Sequence, residues 1–324
     1  MSLSHYPPKS VWRGVAGVAL SAAFSLSLVG LARAEISVTD SLSVEGFIDM
    51  SLFVGEDADG DRTINSALDQ MELDFNLDFG EVTARIDIGS QSTVVETEQA
   101  YVSYAPEDMS DIGLTITVGR FLSTLGWEAA EPTGLYQYSV SAGIPYPGYQ
   151  NGVSVRVSPS DKVGVYVAAM PSAWDVTETD WETPSVEGQV SLMPTAEVTA
   201  KVGFAAEDMG DEYKSELNAW ASYAKDALTL AVEVDVLSNW AVDADGTETE
   251  SALHYLGMAN YGLTDKIAVT GRYSAFDGDI TGMNSEFAVS PSYVISDNWG
   301  VLAEVRYNID AETTEIAVEQ IFTF

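Results

Sequence analysis

An all-β fold, a transmembrane antiparallel barrel of about sixteen strands, is what this sequence predicts, and three observations carry it. The first is period-two alternation. Leu42, Val44, Ile48, Met50, Leu52 and Val54 fall on one face of a segment whose other face holds Ser43, Glu45, Asp49 and Ser51. The second is the last stretch, where Ile316, Val318, Phe322 and Phe324 oppose Glu315, Glu319 and Thr323, and the chain ends on an aromatic carboxylate. A strand with one apolar and one polar face crosses a bilayer only inside a closed barrel, because only there is every backbone group paired between strands. The third lies at the other end. Lys9 and Arg13 precede an apolar, small-residue run from Val15 to Leu31 that closes on Ala32-Arg33-Ala34, the order of a secretory signal peptide. We place cleavage after Ala34, giving a signal peptide at 1–34 and a barrel domain at 35–324. Ser21, Ser25 and Ser27 dilute the run against its use as an anchor.

Taken in order, the segments repeat one figure. Met71, Leu73, Phe75, Leu77 and Phe79 alternate with Glu72, Asp74, Asn76 and Asp78; Gly80-Glu81 turns the chain; Val82, Ala84, Ile86 and Ile88 alternate with Thr83, Arg85 and Asp87. The same pattern continues near 96–105, 114–121, 152–158, 162–169, 185–193, 197–205, 215–223, 228–236, 251–261, 267–274, 285–293, 299–308 and 314–324. Short turns such as Pro159-Ser160-Asp161, Met193-Pro194-Thr195 and Thr264-Asp265-Lys266 alternate with longer polar loops, as expected when periplasmic turns are short and external loops long. An even number of strands puts both termini on the periplasmic side. Tyr104, Tyr223, Tyr261, Tyr293 and Tyr307 fall near strand ends on the apolar face, where an aromatic girdle meets the lipid boundary.

Composition excludes several classes. There is no cysteine, so thiol chemistry and disulfides are out and ladder closure must hold the fold. The net charge is −36; losing Lys9, Arg13 and Arg33 leaves 11 bases against 50 acids, or −39. Nucleic acid is therefore not an expected partner. A solvated acidic exterior and a cation-favouring pore both account for such a charge.

One connection, 122–150, is about twice as long as its neighbours and rich in aromatics, Gly and Pro. Long loops in compact folds usually serve function, and a barrel this wide is an open channel unless something narrows it. This loop is the segment expected to fold into the lumen. Its approach strand Leu114-Thr-Ile-Thr-Val-Gly-Arg-Phe121, then Gly126-Trp127-Glu128, Tyr136 and Tyr138, and Pro147-Gly148-Tyr149-Gln150-Asn151-Gly152-Val153 resemble the corresponding stretch of Gram-negative outer-membrane porins, especially β-barrel porins of the OmpL-like type. Phe324 resembles the signal that the barrel-assembly machinery reads in that class. The loop lacks the Pro-Glu-Phe-Gly motif of the best-known general porins. The resemblance implies a diffusion pore, often a homotrimer, in the outer membrane of a Gram-negative cell, passing ions and small hydrophilic solutes through a constriction made by the third external loop.

Alternation then nominates lumen charges. Arg85, Arg156, Arg272 and Arg306 share a face with Glu45, Asp49, Glu72, Asp74, Glu187, Glu233 and Glu304, while Arg120 stands at the root of the loop that carries Glu128 and Glu131. Arg85, Arg120, Glu128, Glu131, Arg156, Arg272 and Arg306 are thus the candidate pore constriction. A basic wall facing loop acids sets a transverse field, and rings of one sign bias ion choice. Because acids outnumber arginines, a modest cation preference is expected. Anion preference would follow if the arginines cluster at the narrowest point.

Other chemistries find little support. Asp57, Asp59 and Asp61 have calcium-loop spacing, but Arg62 and Leu68 stand where such a loop needs Gly and an acid; Asp243-Ala-Asp245-Gly246 echoes it only in part. An EF-type site therefore fails, loose calcium binding between the acidic loops stays open, and no resident metal or cofactor is assigned. After signal removal His254 is the only histidine, and alternation turns it inward beside Leu256, Met258 and Asn260; nothing in the sequence positions a nucleophile for it, so no enzyme is expected. Two alternatives stay open. Trp127, Tyr136, Tyr138, Tyr146, Tyr149, Trp174 and Trp181 could stack on sugars in a carbohydrate-selective pore, and a closed barrel could serve as an adhesin or receptor.

Overall fold

The computed structural model describes residues 35–56, 62–91, 94–128, 131–210, 212–241 and 250–324. The signal-peptide assignment at 1–34 and the two acidic loops at Asp57–Asp61 and Asp243–Asp245 lie outside the described residues.

Among the described residues seventeen strands form one sheet: β1 Ile36–Thr39, β2 Leu42–Glu56, β3 Arg62–Asp78, β4 Val82–Gln91, β5 Val94–Tyr104, β6 Thr115–Leu122, β7 Tyr149–Ser160, β8 Val163–Met170, β9 Ser185–Thr195, β10 Val198–Asp208, β11 Tyr213–Lys225, β12 Leu228–Ser238, β13 Ala252–Gly262, β14 Ile267–Gly278, β15 Gly282–Ser296, β16 Trp299–Asn308 and β17 Thr313–Thr323. From β2 to β17 each strand pairs antiparallel with the next. Closure comes from β17 on β2, running from Thr314 opposite Glu56 to Thr323 opposite Phe47. The barrel is therefore sixteen-stranded. The ladder ends on Phe324, whose N–H donates to Gly46 O at 3.0 Å while Gly46 N–H donates to Phe324 O at 2.9 Å.

β1 was not expected. It is four residues long and pairs only with the start of β2, Ile36 opposite Val44, next to the point where β17 stops. It lies outside the closed ring and extends the ladder by a short hairpin. β3 also begins earlier than alternation suggests. Asp49 faces Gln70 but Met50 faces Leu68, so Asp69 is an extra residue in the ladder. Such a bulge reverses which parity points outward: Ile64 and Leu68 are exposed before it, and Glu72 and Asp74 are buried after it. A second bulge sits on β5, where Asp87 faces Gln99 and Ile88 faces Thr97; the extra residue, Glu98, is buried inside.

The outer face is the apolar one. Leu52, Val118, Val167, Val202, Leu217, Val232, Val305 and Ile316 are exposed, while the inward positions Asp74, Glu187, Asn218, Glu233, His254, Arg272 and Glu304 are buried. This inversion of a soluble protein suits a barrel whose outside is lipid and whose inside is water or polar protein. Tyr104, Tyr261 and Tyr293 are exposed on the outer face, each at the strand end nearest the termini, opposite Val82, Leu228 and Ile267. Tyr307 is exposed at the other end, opposite Thr314. Connection lengths alternate less regularly than expected. At the end away from the termini the connections at 123–148, 171–184 and 239–251 are long, but those at 279–281 and 309–312 are as short as the turns at 79–81 and 263–266.

Candidate functional site: the loop seated inside the barrel

The 123–148 loop leaves β6 and returns to β7 through a closed neck. Ser123 N–H donates to Gly148 O at 2.8 Å, and the Tyr146 hydroxyl donates to Ser123 O at 3.3 Å. From this neck the loop is pulled onto inward-facing carboxylates. Glu187 of β9 accepts from Ser123 Oγ at 2.7 Å and from Thr124 N–H at 2.8 Å. Leu125, 1 % exposed, packs where Gly203 of β10 leaves room: a Cβ on Gly203 would meet Leu125 Cδ2 at 2.5 Å. Glu233 of β12 accepts from Trp127 N–H at 2.9 Å. The Trp127 ring meets Trp220 of β11 edge-on at 5.4 Å and stacks on Tyr136 at 6.2 Å.

The far part of the loop is held by an arginine. Arg272 of β14, 1 % exposed, donates from Nη1 to both oxygens of Glu128 at 3.0 and 3.1 Å and to Ser139 O at 2.6 Å. Its Nη2 donates to Ser139 Oγ at 2.9 Å, to Val140 O at 3.0 Å and to Glu286 of β15. Glu128 also accepts from Ser141 N–H at 2.7 Å and from Gln137. One guanidinium thus ties the outgoing chain at Glu128 and the returning chain at Ser139 and Val140 to the same strand. Only a planar fork with several fixed donors can satisfy two carboxylates and backbone carbonyls together. Further anchors follow: Ala142 N–H to Ser274 Oγ at 3.1 Å, Ser139 N–H to Glu304 of β16 at 3.3 Å, and the Tyr138 hydroxyl 3.4 Å from Ser51 of β2. Gly143 has φ +63°, and any side chain there would collide with Phe276. With anchors on inward residues of β9, β12, β14, β16 and β2, the loop lies inside the barrel.

One anchor has the order of a catalytic triad. His254 Nδ1 is 2.6 Å from Asp235 Oδ2, and His254 Nε2 is 3.0 Å from Ser141 Oγ. A carboxylate only accepts, so Nδ1–H donates to Asp235, and Nε2 shares the second bond with the Ser141 hydroxyl. Two features separate this from a nucleophile site. Ser141 is 2 % exposed, and the two nearest N–H groups are committed, Ser141 to Glu128 and Ala142 to Ser274. Among the described residues the hydroxyl has little access and the neighbouring N–H groups are already bonded; the three residues fasten the loop to β12 and β13.

The seven predicted constriction residues do not form one ring. Glu128 and Arg272 meet directly inside the loop seat. Arg85 binds Asp87 at 2.8 Å, Asp74 at 3.1 Å and Glu45 at 3.5 Å along its own wall, and Glu131 acts on the same group. Arg306 pairs with Glu315 and with Glu286 at 3.6 Å. Arg156 lies over the Tyr166 ring at 5.1 Å. Arg120 departs from expectation: its register partners Ala100 and Asn151 put it on the parity opposite to the buried Phe121 and Gln150, and its guanidinium lies over Tyr149 at 5.4 Å. The arginines are dispersed because each is taken by the nearest carboxylate or ring.

Carboxylates converge elsewhere. Oxygens of Glu72, Glu98 and Glu131 lie within 4.8 Å of one another, as do those of Glu72, Asp74 and Asp87; Glu233, Asp235 and His254 form a third such group. Gln70 Nε2 donates to both oxygens of Glu98 at 3.2 Å, and the Tyr149 hydroxyl donates to Glu98 at 2.8 Å. The third group is already bonded to Asn218, Trp127 and Ser141. Sequence reasoning did not single out the anchors Ser139, Ser141 and Ala142, nor Lys201 and Lys214. Lys201 lies 5.0 Å over Trp220, and Lys214 lies 4.7 and 4.5 Å over Trp174 and Trp240. Period two already puts Lys201 on the lumen face of β10; its aromatic partner on β11 follows only from the register.

Comparison with known proteins agrees with this geometry. The outer-membrane channel DcaP of Acinetobacter baumannii superposes with a TM-score of 0.68 at 13 % identity, covering 90 % of this chain and 100 % of that one. OmpF of Salmonella typhi, solved in complex with daunomycin, gives 0.70 at 11 % identity over 90 % and 100 %. An anion-selective porin from Comamonas acidovorans gives 0.64 at 13 % identity over 88 % and 99 %. At such identities the likeness is one of fold. No curated protein matches the sequence significantly. The family profile described as "Putative beta-barrel porin-2, OmpL-like" matches residues 61–318, most of the chain, and the protein belongs to that porin family.

Proposed function

We propose that the protein is a water-filled outer-membrane channel for passive diffusion of ions and small hydrophilic solutes, narrowed by the 123–148 loop and modestly cation-preferring. The observation that carries this is the seat of the loop: a long connection fixed across the inside of a sixteen-strand barrel by Arg272, Glu187, Glu233 and Glu304. A barrel of this width has an aqueous interior, and a segment bonded to several of its walls reduces the cross-section. The charge balance of the wall supports that sign: inward acids outnumber inward bases, and Arg85, Arg272 and Arg306 are each already paired, with Asp74 and Asp87, with Glu128 and Glu286, and with Glu286 and Glu315.

Bilayer recordings test both parts. Reversal potentials in a potassium chloride gradient should have the cation-selective sign at low salt and decline as salt rises, since screening shortens the reach of wall charge from about 10 Å at 0.1 M to about 3 Å at 1 M. An anion-selective sign at low salt would refute the cation preference. A folded barrel without conductance would favour the adhesin or receptor alternative.

Removal of the 1–34 signal peptide, a homotrimer and recognition of Phe324 by the assembly machinery belong to the same proposal. Deleting Phe324 should lower the outer-membrane level in cells severalfold while detergent refolding persists, because it removes only the last pair of bonds, those with Gly46. Equal insertion of the truncated and intact chains in cells would remove the terminal aromatic from the recognition role.

A further inference from the structure

In a chain with 50 acids, a buried-facing cation without a carboxylate is unusual. Arg85, Arg272 and Arg306 each hold acidic partners. Arg156 on β7 and Lys201 on β10 do not: among the described residues neither forms an ion pair, and each lies only over an aromatic face, Tyr166 at 5.1 Å and Trp220 at 5.0 Å. The ladder keeps them on one stretch of wall. Arg156 is opposite Tyr166, Tyr166 is opposite Gln189, and Lys201 is opposite both Ser191 and Trp220. They are close enough to act on one another electrostatically, with Glu187 as the neighbouring acid. Glu187 cannot neutralise both, because it brings one negative charge against two positive ones, and its oxygens are oriented toward Ser123, Thr124 and Gln150. A further donor, Trp220 Nε1, is buried without an acceptor among the described residues. Arg156 and Lys201 are themselves part-exposed.

We propose that Arg156, Lys201 and Trp220 form a binding site for a small organic carboxylate on the channel wall. The inference rests on the channel reading above and names a solute class for it. A guanidinium fork and an ammonium together complement a carboxylate, in charge and in donor geometry. The part-exposed Trp220 ring gives its apolar body a surface. Inward acids occur on β2–β5 and β15–β17 and also at Glu187, Glu216, Glu233 and Asp235 beside this site, so the pair of cations holds a carboxylate within a lumen that otherwise attracts cations.

The probe is benzoate, with benzamide as its neutral isostere, on the full mature protein. In bilayers benzoate should reduce the potassium chloride current in a concentration-dependent way, and benzamide should be roughly tenfold weaker, as expected when charge-assisted hydrogen bonds are lost. Lys201→Met combined with Arg156→Gln should raise the half-blocking concentration by about tenfold or more. Trp220→Phe, which keeps a ring and removes the donor, should raise it by about threefold to tenfold. Equilibrium dialysis of labelled benzoate against the detergent-solubilised barrel reads the site without conductance. Binding that weakens in the double variant supports the site even if the channel reading fails. Equal effects of benzoate and benzamide, or a double variant that binds benzoate as the wild type does, would overturn it.

Discussion

Deleting residues 131–146 is expected to raise single-channel conductance by roughly twofold or more, because the narrowest section sets the resistance of a channel and a barrel of this strand number is otherwise open. The deletion removes Tyr138, Ser139, Ser141 and Ala142, and with them the bonds to Ser51, Glu304, His254 and Ser274. It loses the Tyr146 hydroxyl bond to Ser123 but spares the Ser123–Gly148 bond of the neck and the Glu187 and Glu233 anchors. The barrel should survive, since every strand pairing from β2 to β17 lies outside the deleted segment. The exposed wall carboxylates would then be hydrated by the wider lumen rather than stranded. Conductance unchanged in a correctly folded barrel would mean that the loop does not limit the current.

The second large effect belongs to Arg272. Arg272→Met leaves Glu128 without its cation and Glu286 with only Arg306 at 3.6 Å, both carboxylates being 4 % exposed. Breaking a buried pair by removing one partner costs about 3–5 kcal/mol. Here the cost falls on the seat and not on the sheet, because the carboxylates can recover hydration if the loop lifts away. Recordings should therefore change from a steady level to fluctuating, intermittently larger currents, and the loop should become cleavable by protease while the barrel resists. Arg272→Lys keeps the charge but loses the fork that reaches Glu128, Ser139, Val140 and Glu286 together. It should fall between the two. A quiet, wild-type current from Arg272→Met would show that the remaining anchors suffice.

Much of this was legible in the residues. Strict alternation in Leu42–Val54, Met71–Phe79 and Ile316–Phe324 specified strands with an apolar and a polar face, and the sixteen-strand ring follows from their number. The unusual length of 122–150 marked the loop. Two local features were hidden. The extra residues Asp69 and Glu98 reverse the parity of their strands, so period-two reading loses the first half of β3 and does not show Glu98 as inward. The hairpin strand β1 is too short to alternate visibly.

What the sequence by itself determined is the face that strand residues take outside the two bulged stretches, because side-chain direction in an extended chain is a local property with period two. Partners across the lumen are not local. Nothing in the spacing of Glu128 and Arg272, 144 residues apart, or of Ser141 and His254, 113 apart, announces their contact. They meet because closure of the ladder and the path of one loop bring them together. Tertiary structure alone therefore decided that Arg272 clamps the loop, that Arg85 and Arg306 are neutralised on their own walls, and that Arg156 and Lys201 lie over aromatic rings.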